Sequence, residues 1–427
     1  RQESYFAYLF GVREPGFYGA IDIASGQSIL FTPRLPADYA VWMGEIKPLS
    51  YFRDTYKVDM VFYVDEISQV VQDRFGDHGK PLLFLLHGRN TDSGNFSKPA
   101  SFEVHDGIEK FDTDLSTLHP ILTECRVIKS DLELALIQYA NDVSSEAHIE
   151  TLNDGDMALM DMGAEYHFYG SDITCSYPIN GKFNSSQIII YNAVLKAHNA
   201  VISHMRPGVN WMDMHKHTLD APESKQPDLT KGSCCTCTTA APWDVDDMMA
   251  QRLGAVFMPH GLGHLLGIDT HDPGGYPEGL ERPKDPGLSS LRTTRELKEG
   301  MVITVEPGCY FIDALLTKTR DDPISSKFFN WQEVEKYKSF GGVRIESDVQ
   351  YKPNIVYLGH LEYRKRKNDI MCVHILYVTA QGCRNLTNCP RETWEIEAVM
   401  AGAPWPLPDS SSMVAAAENR NGISKAL

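Results

Sequence analysis

Short apolar runs separated by glycine, proline and aspartate occupy the first 120 residues. Four of these runs span 5–10, 28–31, 60–64 and 82–86. Runs of this length between turn residues are typical of β-strands. The region has no cluster of metal-type side chains. We therefore predict a mixed α/β N-terminal domain over residues 1–120, with a structural or oligomerisation role.

Two longer helices are predicted next, because the apolar positions change to helical spacing. Ser130 and Glu133 form a capping-box pattern at the start of the first helix. The apolar residues that recur after it are Leu132, Leu136, Tyr139 and Val143. The second helix is predicted over 186–202 and ends before Pro207-Gly208.

Potential ligands for a hard metal ion recur along the β-rich part of the chain. They are Asp161, Asp172, His264, Glu306 and Glu346. Strand-like runs are predicted at 157–162 and 166–169. Asp161 lies at the end of the first run, and Asp172 follows a predicted hairpin through Gly163 and Gly170, so that the two carboxylates can face each other on paired strands. Oxygen-rich ligation with one imidazole suits Mn²⁺, Fe²⁺ or Co²⁺ in a paired-metal site. A single carboxylate at a strand end is more often solvated, so spacing alone leaves the convergence of all five open.

Five segments resemble the motifs of a known family. In chain order they read DMGAEY (161–166), SDITCS (171–176), MPHGLGHLLGID (258–269), TVEPG (304–308) and GGVRIE (341–346). They resemble the prolidases, the Xaa-Pro dipeptidases among the pita-bread metallopeptidases. The resemblance implies an α+β fold, in which the N-terminal domain is followed by a pita-bread catalytic domain over 121–402.

Carried over residue by residue, the resemblance implies a site for two divalent metal ions, expected to be Mn²⁺. Asp161 would bind one ion only. His264 and Glu306 would bind the other ion, and Asp172 and Glu346 would bridge both.

The resemblance also implies substrate contacts and a reaction. Arg292 would pair with the free carboxylate of a C-terminal proline, which suits the fork of a guanidinium. His260 and His271 would line the pocket, orient the substrate and stabilise the tetrahedral intermediate. Glu306 would carry a proton to the leaving nitrogen. The implied reaction is hydrolysis of the Xaa-Pro bond of dipeptides by attack of a metal-bridged hydroxide.

The chain also departs from the family's pattern. A stretch that prolidases contain between the equivalents of His148 and Asn153 is missing, together with an active-site histidine that has no counterpart here. We therefore expect an incomplete first half of the pita-bread sheet and a more open pocket. Irregular insertions are predicted at 222–242 and 352–389, and a disordered tail at 403–427.

Two other functions stay open because of these departures. One is a pita-bread protein that no longer catalyses and acts in binding or assembly. The other is an aminopeptidase P-like enzyme that cuts longer peptides.

Composition limits the partners. The 427 residues include 40 Lys and Arg against 57 Asp and Glu, a net charge of −17, so a nucleic-acid partner is not expected. Dispersed cysteines suggest reduced thiols, and no apolar run is long enough to span a bilayer. We expect a cytoplasmic enzyme that acts on small dipeptides and can form a homodimer. Since the chain begins with Arg1 and not Met, we also expect its true start to be missing.

Overall fold

The computed structural model describes residues 3–37, 39–40, 45–76, 79–101, 108–150, 157–220, 245–337, 340–351 and 383–407. The chain divides into two compact units, Arg1–Arg126 and Val127–Leu427. The sequence had placed this division near residue 120. Among the described residues, no helix is both long and apolar enough to cross a membrane.

The N-terminal unit alternates helices with short strands, as predicted for a mixed α/β domain. Its strands are β1 (Tyr18–Ile21), β2 (Ser28–Thr32), β3 (Met60–Tyr63), β4 (Leu82–Phe84) and β5 (Asp112–Asp114). Its helices are α1 (Ser4–Phe10), α2 (Leu49–Tyr56), α3 (Ile67–Phe75) and α4 (Leu118–Val127), of which α4 ends at the boundary between the units. β2 lies between antiparallel β1 and parallel β3, and β4 pairs in parallel with β5.

The prediction of a strand at 5–10 is wrong, because these residues form α1. The Glu3 side chain accepts a hydrogen bond from Phe6 N at 2.9 Å, which caps the helix start. Gly11 ends the helix with a left-handed φ of 64°. These two caps fix a helix that an apolar run of this length does not distinguish from a strand.

β2 forms the centre of the N-terminal core because it is buried on both faces. Ile29 and Phe31 point to one face, where they pack with Ile67 and Phe111. Leu30 points to the other face, against a second set of buried side chains. The alternation of the strand therefore connects two apolar layers.

The second unit, Val127–Leu427, holds the remaining elements and is called the catalytic unit after the role that the sequence predicts for it. Its helices are α5 (Asp131–Glu150), α6 (Ser185–His204), α7 (Trp211–Asp220), α8 (Val245–Ala250), α9 (Gly254–Phe257), α10 (Asp313–Asp321), α11 (Trp331–Val334) and α12 (Thr393–Met400). Its strands are β6 (Met157–Met162), β7 (Glu165–Tyr166), β8 (Tyr169–Gly170), β9 (Ile173–Pro178), β10 (Val302–Val305), β11 (Gly308–Tyr310), β12 (Gly342–Arg344), β13 (Ser347–Tyr351) and β14 (Cys383–Asn385). All of their pairings are antiparallel: β6 with β9, β7 with β8, β10 with β13, β13 with β14, and β11 with β12.

Helix α5 begins with the predicted capping box. Ser130 N donates to Glu133 Oε2 at 2.7 Å, and Glu133 N donates to Ser130 Oγ at 3.4 Å. The apolar stripe of this helix, however, faces solvent: Leu132 is 80% exposed. Its buried face combines Ile137 and Ala140 with polar side chains. Ser144 Oγ bonds Ser171 Oγ at 2.8 Å, and His148 Nε2 donates to Ile173 O at 2.9 Å.

Helix α6 confirms the second predicted helix and packs against β10, β11, β12 and β14. Ile190 and Tyr191 on this helix join one apolar cluster, and Val201 joins another. The helix therefore supports the strands whose ends form the site described below.

The predicted strand at 166–169 is a tight hairpin turn. β7 and β8 flank His167 and Phe168, which have positive φ values of 48° and 75°. The hairpin allows the chain to reverse between β6 and β9.

The predicted irregular segment 352–389 extends too far at its C-terminal end. Strand β14 pairs with β13, with Tyr351 opposite Cys383. Leu386 is buried, and its N–H donates to Asp348 O at 2.9 Å. Residues 383–389 are thus part of the fold. Residues 352–382, the segment 222–242, the junction 151–156 and residues 408–427 lie outside the described part of the chain.

Candidate metal centre

The five predicted ligand side chains converge in the catalytic unit. Asp161 lies on β6 and Asp172 just before β9, while Glu306 follows β10 and Glu346 lies between β12 and β13. Together with His271 they form three overlapping groups, and within each group the possible ligand atoms lie within 4.8 Å of one another. These groups are Asp172, His264 and His271; His264, Glu306 and Glu346; and Asp161, Asp172 and Glu346. The convergence that spacing left open is therefore present in the structure.

Backbone register holds the carboxylates in place. Asp161 lies opposite Thr174 in the β6–β9 pair. Glu346 N donates to Thr174 O at 3.1 Å, which joins the turn carrying Glu346 to the same strand. Thr174 Oγ1 also donates to Glu346 Oε2 at 2.6 Å, and this hydrogen bond orients the carboxylate.

A close backbone approach places His264 against β10. His264 N donates to Thr304 Oγ1 at 3.0 Å, and Thr304 N donates to His264 O at 2.9 Å. A Cβ on the preceding Gly263 would lie 1.9 Å from Thr304 O. Only glycine permits this approach, which explains the residue before the histidine.

The His264 ring presents an electron pair to the carboxylates. Its Nδ1 bonds the Leu265 carbonyl at 3.1 Å and must therefore be the protonated nitrogen. In the neutral ring, Nε2 then carries a lone pair 3.3 Å from Asp172 Oδ2 and 3.6 Å from Glu306 Oε1. A lone pair among carboxylate oxygens is an arrangement that a cation stabilises, and metal-binding histidines are oriented in this way.

The charges around the site favour bound cations or protons. Burial, followed by the charges of Glu306 and Asp172, raises the pKa of Glu346 well above its usual range. Burial likewise raises the pKa of Asp161, although the Arg344 guanidinium opposes the shift. For Asp172 burial acts in the same direction, but a protonated His264 ring lowers the pKa overall. Burial opposes that proton on Nε2, whereas Asp172 and Glu306 raise the pKa of His264, so a metal ion at Nε2 would take the place of the proton.

Arg344 is the cation that contacts two of these carboxylates. Its Nη2 lies 2.5 Å from Asp161 Oδ2 and its Nε lies 3.6 Å from Glu346 Oε2. Because four carboxylates exceed the charge of one guanidinium, the donor set fits divalent cations.

Asp348 is a neighbour of the site that the sequence motifs did not identify. Its Oδ2 accepts a hydrogen bond from Asp172 N at 2.9 Å. Its Oδ1 has no hydrogen-bond partner in the described part of the chain, and burial raises its pKa well above the usual range. Its position two residues after Glu346 on an alternating strand could have indicated it.

His260 lies between Glu306 and Tyr310. Its Nδ1 bonds Gly261 O at 2.7 Å and lies 3.7 Å from Glu306 Oε2. The carbonyl can only accept, so Nδ1 carries the proton and Nε2 accepts from the Tyr310 hydroxyl at 2.8 Å. Burial lowers the pKa of His260, which favours this neutral form.

His271 and Arg292 lie on loops beside the site. The His271 ring stands edge-on to that of His264, with centroids 4.4 Å apart. His271, Asp172 and His264 are close enough to hold a metal ion together. The predicted role of His271 as a pocket residue did not include metal binding. Arg292 is partly exposed, and its charge helps to lower the pKa of His260, after burial and other contributions.

Comparison with known proteins identifies the class. The family model of metallopeptidase family M24 matches residues 127–353, and that of the aminopeptidase P N-terminal domain matches residues 1–84. The chain belongs to metallopeptidase family M24 and is a peptidase with the pita-bread fold, which confirms the α+β prediction.

Relatives within the family agree with the prolidase motifs. The chain is 42% identical to the Xaa-Pro dipeptidase of Rattus norvegicus over 461 residues, covering 94% of this chain and 85% of that protein. It is also 42% identical to the Xaa-Pro dipeptidase of Homo sapiens, with coverages of 94% and 84%. The first alignment has more positions than the 427 residues of this chain, so the relative has residues that the chain lacks.

A solved structure shares the fold. The aminopeptidase PepP of Pseudomonas aeruginosa superposes with a TM-score of 0.63 at 24% identity, covering 94% of this chain and 89% of that one. This match shows that the two proteins share a fold.

Proposed function

We propose that this protein hydrolyses the Xaa-Pro bond of dipeptides with a C-terminal proline, using two divalent metal ions. The observation that carries the proposal is the convergence of four carboxylates and the Nε2 atom of His264. The relatives at 42% identity, which are named Xaa-Pro dipeptidase, indicate the substrate class.

The ligands divide between the ions by proximity. Asp161 belongs to the group with Asp172 and Glu346, whereas His264 belongs to the group with Glu306 and Glu346. We assign Asp161 to one ion, His264 and Glu306 to the other, and Asp172 and Glu346 to both. Oxygen-rich ligation with one imidazole favours Mn²⁺. When bound, the ions would polarise the scissile carbonyl and lower the pKa of a water molecule.

The protein's own side chains would bind substrate and carry protons. Glu306 is suited to move a proton, because Thr304 Oγ1 donates to its Oε1 at 3.2 Å and His260 approaches its Oε2. His260 and His271 would orient the substrate carbonyl. Arg292 would bind the carboxylate of the C-terminal proline and so select dipeptides.

The decisive experiment measures Gly-Pro hydrolysis by the purified chain with added Mn²⁺. The control is Asp172→Asn, which keeps the shape of the side chain and removes a bridging charge. We expect the unchanged protein to exceed this control at least about 100-fold, since even the partners of metal ligands contribute about 10–100-fold. Equal rates in two folded proteins would contradict the proposal.

The same assay separates the remaining functions. Cleavage of Arg-Pro-Pro in preference to Gly-Pro would indicate aminopeptidase P-like activity. Mn²⁺ binding without hydrolysis of either peptide would indicate a binding or assembly protein. Because a histidine of the family has no counterpart here, we expect a rate about 10²–10³-fold below that of a complete enzyme.

We further propose a homodimer, which the resemblance to prolidases implies, and a cytoplasmic location, in accord with the dispersed cysteines. Light scattering of the purified chain tests the dimer directly.

A further inference from the structure

Arg391 joins two backbone segments of the metal centre although it lies far from both in sequence. It precedes α12 and follows the long segment after β13. Its Nη1 donates to Thr174 O at 2.9 Å, and its Nη2 donates to Glu346 O. One guanidinium thus binds the strand after Asp172 and the turn that carries Glu346.

These bonds reinforce a junction that the site already uses. Thr174 O accepts from both Glu346 N and Arg391 Nη1, while the Thr174 hydroxyl holds the Glu346 carboxylate. Two further contacts join the segments nearby, since Arg344 Nε donates to Thr174 Oγ1 at 2.9 Å and Asp172 N donates to Asp348 Oδ2. The guanidinium bonds the main chain of both segments at once and therefore helps to fix the distance between Glu346 and the start of β9.

A second set of contacts orients the guanidinium. Nη2 also donates to Ser347 Oγ at 3.0 Å, and that oxygen lies 3.0 Å from His198 Nε2. Burial lowers the pKa of His198 to about 3, so the ring is neutral. Its Nδ1 lies 3.3 Å from Asn199 Oδ1, which places the ring proton there and leaves Nε2 to accept from the Ser347 hydroxyl. Arg391, Ser347 and His198 form one continuous hydrogen-bond chain.

We infer that Arg391 is a positioning residue of the metal centre, which holds Glu346 at the spacing from Asp172 that two shared cations need. The inference rests on the proposed metal site. The planar fork is essential to it, because two nitrogens bind two carbonyls and one hydroxyl. A lysine ammonium at the same place has one nitrogen and a different reach.

The test compares Arg391→Met and Arg391→Lys with a matched control, Arg126→Lys. Arg126 is 1% exposed and donates to Ser4 Oγ at 3.1 Å, but it lies in the N-terminal unit. The readouts are the number and affinity of bound Mn²⁺ by calorimetry, and thermal unfolding in a chelator. We expect both Arg391 variants to bind Mn²⁺ about 10–100-fold more weakly, Arg391→Met more so. Arg126→Lys should change unfolding and leave Mn²⁺ affinity unaltered.

The outcomes separate positioning from a merely structural role. Unchanged Mn²⁺ affinity in either folded Arg391 variant would overturn the inference. So would failure of both variants to fold, since that would assign Arg391 to the fold as a whole. If the unchanged protein binds Mn²⁺ but does not hydrolyse Gly-Pro, the proposed activity alone is refuted. Weaker Mn²⁺ binding by the Arg391 variants would still support the positioning role in that case.

Discussion

Two central strands show how differently the two units are stabilised. β2 of the N-terminal unit and β13 of the catalytic unit each lie in the middle of a three-stranded sheet and are buried. β2 buries Ile29, Leu30 and Phe31, whereas β13 buries Ser347, Asp348 and Gln350. Apolar burial stabilises the first strand directly, while each polar group of the second needs a partner to avoid a desolvation cost.

The partners of β13 show why its polarity is retained. Ser347 bonds His198 and Arg391, and Asp348 accepts from Asp172 N. Each contact ends at a residue of the candidate metal centre or at its support. A strand that is expensive to bury therefore acts as a frame for ligands, whereas β2 acts as a core. Substitutions in the two regions should consequently separate activity from stability.

The largest effect is expected for Glu346→Gln, beside β13. Loss of this ligand should lower kcat/KM for Gly-Pro at least about 100-fold, because outer partners alone contribute about 10–100-fold. The metal-free protein should respond in the opposite direction, since burial and neighbouring charges hold the pKa of Glu346 well above its usual range. Removing that carboxylate should raise Tm in a chelator by a few °C, about 1 kcal/mol or more.

The matched control for this variant is Glu335→Gln on the surface. Glu335 pairs with Arg320 at 3.1 Å, and its side chain is 52% exposed, so little change is expected in either measurement. Equal kcat/KM values for the two variants would contradict the assignment of Glu346 as a metal ligand.

A core substitution in β2 should lower stability and leave activity unchanged. Phe31→Ala removes a side chain that is 2% exposed, and such changes cost about 3–5 kcal/mol. Denaturant unfolding should show this loss. The kcat of the fraction that remains folded should be unchanged, because Phe31 lies in the other unit. A fall in Mn²⁺ affinity for the folded fraction would contradict the separation.

His215 is a buried polar group of the catalytic unit that tests acid stability. It is 1% exposed, and neither ring nitrogen has a hydrogen-bond partner in the described residues. Burial lowers its pKa from 6.5 to about 4. The neutral His215 ring therefore makes its full contribution to the free energy of unfolding above pH 6.5. This contribution is lost as the pH falls toward 4, and about 2 kcal/mol of it is lost at pH 5.

His215→Leu should move the acid-unfolding midpoint to lower pH, because leucine has no proton to gain. Circular dichroism against pH measures the midpoint. The control is His204→Leu, since His204 is exposed. Coincident acid-unfolding curves for the unchanged protein and His215→Leu would show that another group controls acid unfolding.

The proposed ligands could be selected from the sequence because they lie at local signals. Glu306 precedes Pro307-Gly308, and His264 follows the glycine that its backbone approach requires. Asp348 was overlooked although it lies two residues after Glu346, whereas Arg391 was not predictable because its guanidinium bonds residues far away in the sequence. The buried face of α5 was not predicted either. It includes Ser144 and His148, and the spacing of apolar residues does not indicate that polar side chains are buried.

The smallest expected effect concerns the start of α5, where the sequence signal was local and was confirmed. Ser130→Ala removes the cap to Glu133 N and should cost about 0.5–2 kcal/mol in denaturant unfolding. Ser130→Thr keeps the hydroxyl and serves as the control. The helix carries His148, which bonds the carbonyl of Ile173 next to Asp172. If fraying at Ser130 reaches that end, Mn²⁺ affinity should fall together with stability. We expect stability alone to change, because the polar contacts of Ser144 lie between the cap and His148.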